Sequence, residues 1–181
     1  MVSIVLKILA VSLTISYPFL IYWGLQKYDA GMLLPVLLIL LALRWITGGA
    51  LAERKLVMAT FIGLAVIVMV GGEKLGLKFY PVIMNLGFLI LFVSSLFSSQ
   101  TVIERFARLK EPDLPEAGVL YTRKVTWAWS IFFLMNGTIA AVTAVWANDQ
   151  VWMLYNGLIS YLLIALLACG EWLVRQRIRR G

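Results

Sequence analysis

Six apolar runs divide the chain, at about 8–25, 32–46, 56–70, 79–97, 125–146 and 151–174, and charged, glycine or proline positions bound each one. Runs of this kind predict helices that cross a bilayer, for which roughly 20 apolar residues are needed. The second and third are short for the task, so flanking residues or local thinning of the bilayer would supply the difference. The first is interrupted by Pro18 and preceded by Lys7. A signal peptide is the competing reading, but no small-x-small cleavage site follows a short apolar core, and a retained span is expected. Tyr28, Asp29 and Gly31 predict a tight connection, and Arg44 lies near enough to the inner end of the second run to snorkel. Gly48 and Gly49 open a polar connection; Gly71 and Gly72 close the third run. Tyr80 and Pro81 open the fourth, where proline's missing N–H has no partner to lose.

Between the fourth and fifth runs the pattern changes. Over 101–110, Val102, Ile103, Phe106 and Leu109 recur at helical spacing while Glu104, Arg105, Arg108 and Lys110 take the other face. This predicts a short amphipathic helix lying on the membrane surface. Thr101 with Glu104 forms a capping-box start, and Pro112 stops the helix soon after Lys110. The fold class expected is therefore all-α: one polytopic membrane domain over residues 1–181, with six transmembrane helices and one interfacial helix.

Composition agrees. The chain is 62% hydrophobic and 14% charged, with a mean hydropathy of +0.92, far from a soluble domain. The net charge of +7 does not point to nucleic acid, because the basic residues flank apolar spans and form no continuous face. They fall unevenly on alternate connections. One side holds Lys7, Arg44, Arg54, Lys55, Arg105, Arg108, Lys110, Arg123, Lys124, Arg175, Arg177, Arg179 and Arg180; the other holds Lys27, Lys74 and Lys78. The positive-inside rule then places both termini and the amphipathic loop in the cytoplasm. A five-span arrangement would scramble that asymmetry. Trp127, Trp129, Trp146, Trp152 and Trp172 fall near span ends, as an aromatic belt requires.

Candidate chemistry is sparse. With no histidine and a single cysteine, Cys169, the chain has no His-based triad, histidine-ligated metal or intrachain disulfide. No phosphate-binding glycine loop is present, and no cofactor is expected. The polar residues within apolar runs say more. Asn85, Asn136 and Asn156 each sit where an unpaired amide is costly, so they should face protein. They serve either as interhelical glue, with Gly137 and Gly157 allowing close approach, or as the lining of a small polar pocket between the last three spans. Asn85 and Asn156 are expected about 8–9 Å below the outer surface at the helical rise. Lys27, Asp29, Glu73, Lys74 and Lys78 belong to outer connections, making an outward-opening polar cleft a geometric option beside the reading as solvated turns. Glu171 and Arg175 have the spacing of an ion pair on one helical face. On the amphipathic loop, Arg105, Phe106, Arg108 and Lys110 form a lipid or partner docking set, or a plain membrane-resting linker.

The segment WAWSIFFLMNG, followed after a short turn by VWMLYNGL, resembles the bacterial intracellular septation protein A family. The similar residues are Trp127, Ala128, Phe132, Phe133 and Gly137 in the fifth span and Val151 to Tyr155 in the sixth. Pro18, the Lys27-Tyr28-Asp29 turn, Gly71-Gly72 and the Lys78 to Pro81 segment are also similar. The loop EPDLPEAG, the arginine-rich tail and the Asn-Gly pairs look closer to a subgroup of inner-membrane proteins associated with gene neighbourhoods for fatty-acid-like or aryl polyene lipid synthesis. The resemblance implies a multi-pass protein of the bacterial inner membrane, with a part in division or envelope integrity and no catalytic residue to carry over. The leading expectation is a non-catalytic envelope accessory or scaffold that meets membrane lipids and other inner-membrane proteins, with self-association left open. A carrier for an amphipathic lipid is second. A membrane enzyme is third, because no acid-base group lies within the spans.

Overall fold

The computed structural model describes residues 2–47 and 51–180. Gly48 and Gly49, expected to open the second connection, lie outside the described residues. All regular structure among them is helical: α1 (Val2–Leu25), α2 (Ala30–Thr47), α3 (Leu51–Ser95), α4 (Val102–Arg108), α5 (Glu116–Trp146), α6 (Asp149–Leu154) and α7 (Ser160–Arg180). A π-helical turn, Tyr155–Ile159, joins α6 to α7. Among the described residues, four helices are long and apolar enough to cross a membrane: Ala30–Thr47, Val57–Ser95, Glu116–Trp146 and the rod Asp149–Gln176; Val11–Leu25 is a shorter apolar stretch.

The third and fourth apolar runs fall in one element, α3, which is broken at Gly72, with φ 82° and ψ 171°. Only glycine enters that region without strain. Two contacts show that the chain reverses there. A Cβ on Gly63 would lie 3.3 Å from Ile83 Cδ1, whereas an unbroken helix would separate these positions by about 30 Å. Nearer the turn, a Cβ on Gly76 would meet the Val68 side chain and lie 3.6 Å from its Cα. α3 is thus a helical hairpin with limbs 51–71 and 73–95. Its tip meets the first turn of α2, since the Glu73 carboxylate lies 2.8 Å from where a Gly31 Cβ would be.

Pro81 does not open a helix, as the sequence suggested; it sits inside the second limb. Proline cannot donate to the carbonyl four residues back. That carbonyl, on Leu77, accepts instead from the Tyr17 hydroxyl of α1 at 2.9 Å. The same device recurs at Pro18, inside α1: the Thr14 carbonyl that it leaves unpaired accepts from the Tyr161 hydroxyl of α7 at 3.3 Å. Pro18 and Pro81 each thereby free an acceptor that ties their helix to another.

Tyr17, Ile21, Leu37, Leu40, Leu77 and Trp152 anchor the main core, which joins α1, α2, both α3 limbs, α5 through Ala144, and α6. A second, aromatic cluster ties the second limb of α3 to α5. Phe88 stacks on Phe133 at 5.2 Å between ring centroids, and Phe92 meets the same ring edge-on at 5.2 Å. The Trp belt is narrower than expected: Trp127, Trp146 and Trp172 are exposed, but Trp152 is fully buried and donates its indole N–H to the Lys78 carbonyl at 3.1 Å. That hydrogen bond and the core around it outcompete the interface.

In α4 the predicted cap forms, with Thr101 Oγ1 accepting from the Glu104 N–H at 3.2 Å. The faces differ from the simple alternation. Glu104 is buried and held by Arg108 at 2.9 Å, while Phe106 and Leu109 are 65% and 79% exposed. The cause is docking: α4 packs on α5 and α3 through Val102, Glu104 and Ala107, which leaves its larger apolar residues pointing outward. α5 also starts earlier than its apolar run, at Glu116 behind an N-cap Pro115.

Candidate functional site

The three asparagines are not equivalent. Asn136 is a hub: its Nδ2 donates to Asn85 Oδ1 at 3.0 Å and to Ser160 Oγ at 3.0 Å, and its Oδ1 accepts from the Tyr155 hydroxyl at 2.8 Å. Asn85 in turn donates to the Pro81 carbonyl at 2.8 Å. This network joins α3, α5, the π turn and α7. Asn156 stands apart, donating to Thr143 Oγ1 at 3.3 Å and to the Trp152 carbonyl at 2.9 Å. Asn85 lies deeper than expected, about 20 Å from the hairpin tip at the helical rise, because the second limb begins at residue 73 and not near 79.

Both Asn-Gly pairs are helical, and their glycines sit at close approaches. A Cβ on Gly137 would lie 3.0 Å from Asn85 Cβ, and one on Gly157 would lie 2.9 Å from the Phe19 ring. The π turn, which sequence reasoning missed, widens the helix by a residue. It presents Tyr155, Asn156 and Gly157 to the protein in succession, all three buried. These amides and hydroxyls are consumed in holding helices together.

A separate polar centre opens at the hairpin end of the molecule. Lys78 is 4% exposed, and its Nζ lies 3.2 Å from Asp149 Oδ1 and 5.9 Å from the Trp152 ring centre; it donates to the Ala147 carbonyl at 3.4 Å. Lys74 meets the other oxygen of Asp149 at 2.8 Å. One carboxylate shared by two ammonium groups leaves a net positive charge on a cavity of about 440 Å³, lined also by Gly71, Ala144 and Asn148. Lys78 is thus gathered into a cleft, as the charge pattern allowed, with Asp149 as a partner it did not single out. Lys27, Asp29 and Glu73 do not line that cavity; all three are exposed. Nor do Asn85, Asn136 or Asn156 line it.

Arg44 departs most from expectation. It does not extend to the helix end but turns toward α1, where Nε and Nη2 lie 3.4 and 3.3 Å from Thr14 Oγ1. The Tyr80 hydroxyl faces the same threonine at the edge of hydrogen-bonding geometry, and it has no partner within that geometry among the described residues. No Arg44–carboxylate pair occurs among the described residues, whereas Glu171 and Arg175 do pair at 3.0 Å. On the amphipathic loop, Arg105, Phe106 and Lys110 are exposed, while Arg108 is occupied with Glu104 and donates to the Pro112 carbonyl at 2.8 Å.

This architecture defines the class: an all-helical, multi-pass membrane protein whose intramembrane polar groups are largely bonded to one another. The chain is a distant homologue of the "Inner membrane-spanning protein YciB" of Pectobacterium carotovorum subsp. carotovorum (strain PC1), with 27% identity over 172 residues, covering 87% of each chain. That relative is of the intracellular septation protein A family, the one its motifs resemble. No family model matches the chain, and no solved structure does.

Proposed function

We propose that this protein is a non-catalytic accessory of the bacterial inner membrane, serving envelope assembly or division by engaging other membrane components through α4 and the start of α5. The observation that carries this reading is the disposition of polar groups. The asparagines are spent on helix contacts, whereas Arg105, Lys110, Phe106 and Leu109 stand exposed on a docked helix. An exposed basic and apolar set on a rigid support fits an anionic membrane surface or a partner helix. The relative's name supports the inner-membrane location.

The reversal at Gly72 supports six passes: α1, α2, the two limbs of α3, α5 and the α6–α7 rod. With the basic residues inside, both termini and α4 lie in the cytoplasm, and the Lys74–Lys78–Asp149 cleft faces outward.

The test is complementation of the envelope or division defect in a strain lacking the gene. Arg105→Glu with Lys110→Glu should abolish complementation at normal protein levels, while Asn85→Leu, if folded, should complement. The converse result would move the role from the loop to the helix bundle. Arg108 is unsuitable for this test, because its reversal would strand the buried Glu104.

A further inference from the structure

We propose that Arg44, Tyr80 and Thr14 form an intramembrane site for a singly charged oxyanion carried on an acyl chain, a lipid phosphodiester or carboxylate. It is independent of the accessory role of α4. Two registers place the group within the helix bundle: Thr14 is about 17 Å from the α1 end at Leu25 and Tyr161 about 18 Å from the rod's start, and Arg44, in the last turn of α2, reaches across to Thr14. An ionisable side chain at that depth calls for a partner. The one found is neutral: the guanidinium meets Thr14 Oγ1 through Nε and Nη2, leaving further N–H donors of its fork uncommitted. The Tyr80 hydroxyl, beside the same threonine and 2% exposed, is a second donor without an acceptor among the described residues. Spare guanidinium N–H groups and an unpaired hydroxyl beside one threonine are what an oxyanion completes.

Tyr161 closes one side by donating to the Thr14 carbonyl, which fixes α7 against α1 without using the site's donors. Arg44, Thr14 and Tyr161 are half-buried, so the site is open laterally. Groups at this depth are reached through the bilayer, which selects an amphipathic ligand over a free anion. The one guanidinium of Arg44 matches a single negative charge.

The experiment is native mass spectrometry of the full chain with three probes of matched chains: dioleoyl phosphatidylglycerol, oleate and dioleoyl phosphatidylcholine. Wild type should retain one anionic probe over the neutral lipid by roughly tenfold, the scale of a charge-assisted hydrogen-bond set. Preference for phosphatidylglycerol assigns the phosphodiester, and preference for oleate the carboxylate. Arg44→Gln should remove the preference and Arg105→Gln should leave it. Tyr80→Phe decides the matter if Arg44→Gln fails to fold, because it removes only a hydroxyl without a partner. It should lower retention several-fold with no loss of thermal stability. Equal retention of all three probes by wild type, or an anionic preference that Tyr80→Phe leaves intact, would overturn the site.

Discussion

Asn136 makes three side-chain hydrogen bonds to three different residues, and replacing it by leucine removes them together. Interhelical bonds in a membrane average about 0.6 kcal/mol, so Asn136→Leu should cost about 2 kcal/mol in reversible unfolding in mixed micelles. Asn85→Leu, which loses the pairing to Asn136 and a bond within its own helix, should cost less. The neighbouring glycines give a second contrast. Gly137→Ala would press a methyl against Asn85 Cβ, which is part of a packed helix, and should destabilise by about 1–3 kcal/mol. Gly157→Ala meets the far edge of the half-exposed Phe19 ring, which can swing aside, and should be milder in the same assay. The asparagines' need for protein partners was legible from their place in apolar runs. Their division into one hub and one separate residue was not, because it depends on which helices meet at which depth. Arg44 misled for a related reason: proximity to a helix end implies an escape to water, and nothing local reveals that Thr14, 30 residues earlier, holds its head.

At the scale of elements, prolines and glycines carry more information than the hydrophobic period. Pro18 and Pro81 each free a carbonyl that a distant tyrosine takes. Tyr17→Phe should therefore cost about 1–3 kcal/mol in the same unfolding measurement, the penalty for an unsatisfied buried carbonyl. A control without such a carbonyl is Tyr22→Phe, which should be close to neutral. Gly72 is different again, because a Cβ there has open space around it and any cost of Gly72→Ala is conformational. At φ 82° and ψ 171° that cost is about 1–3 kcal/mol. The apolar runs and the α4 cap were readable because they are set by neighbours within a turn or two. The outward face of α4 was not, since burial of Glu104 with Arg108 depends on α5, and a seven-residue helix has too few positions for its period to choose between protein and lipid.

For the molecule as a whole, the Gly72 reversal decides the parity of everything after it. If α3 passes twice, the α1–α2 connection and the α5–α6 turn lie outside while the segment before α4 lies inside. If α3 passed once, the last two would exchange sides. The distribution of lysine and arginine supports the first arrangement, because only with two passes do Arg54, Lys55, the α4 cluster and the arginine-rich tail share a side. Cys169, the single cysteine, can be replaced by serine to give a background in which one new thiol reports one location. Tyr28→Cys, Ser99→Cys and Gln150→Cys all fall at exposed positions in or beside connections. With a membrane-impermeant maleimide on spheroplasts, Tyr28→Cys and Gln150→Cys should label directly, and Ser99→Cys only after permeabilisation. Direct labelling of Ser99→Cys with protection of Gln150→Cys would mean a single pass, and would turn the Lys74–Lys78–Asp149 cleft and α4 away from the sides assigned to them. The Gly63–Ile83 approach makes that outcome hard to reconcile with the fold, since a single extended pass would pull those positions apart and break the core that Leu64, Leu77 and Tyr80 share with α1 and α2.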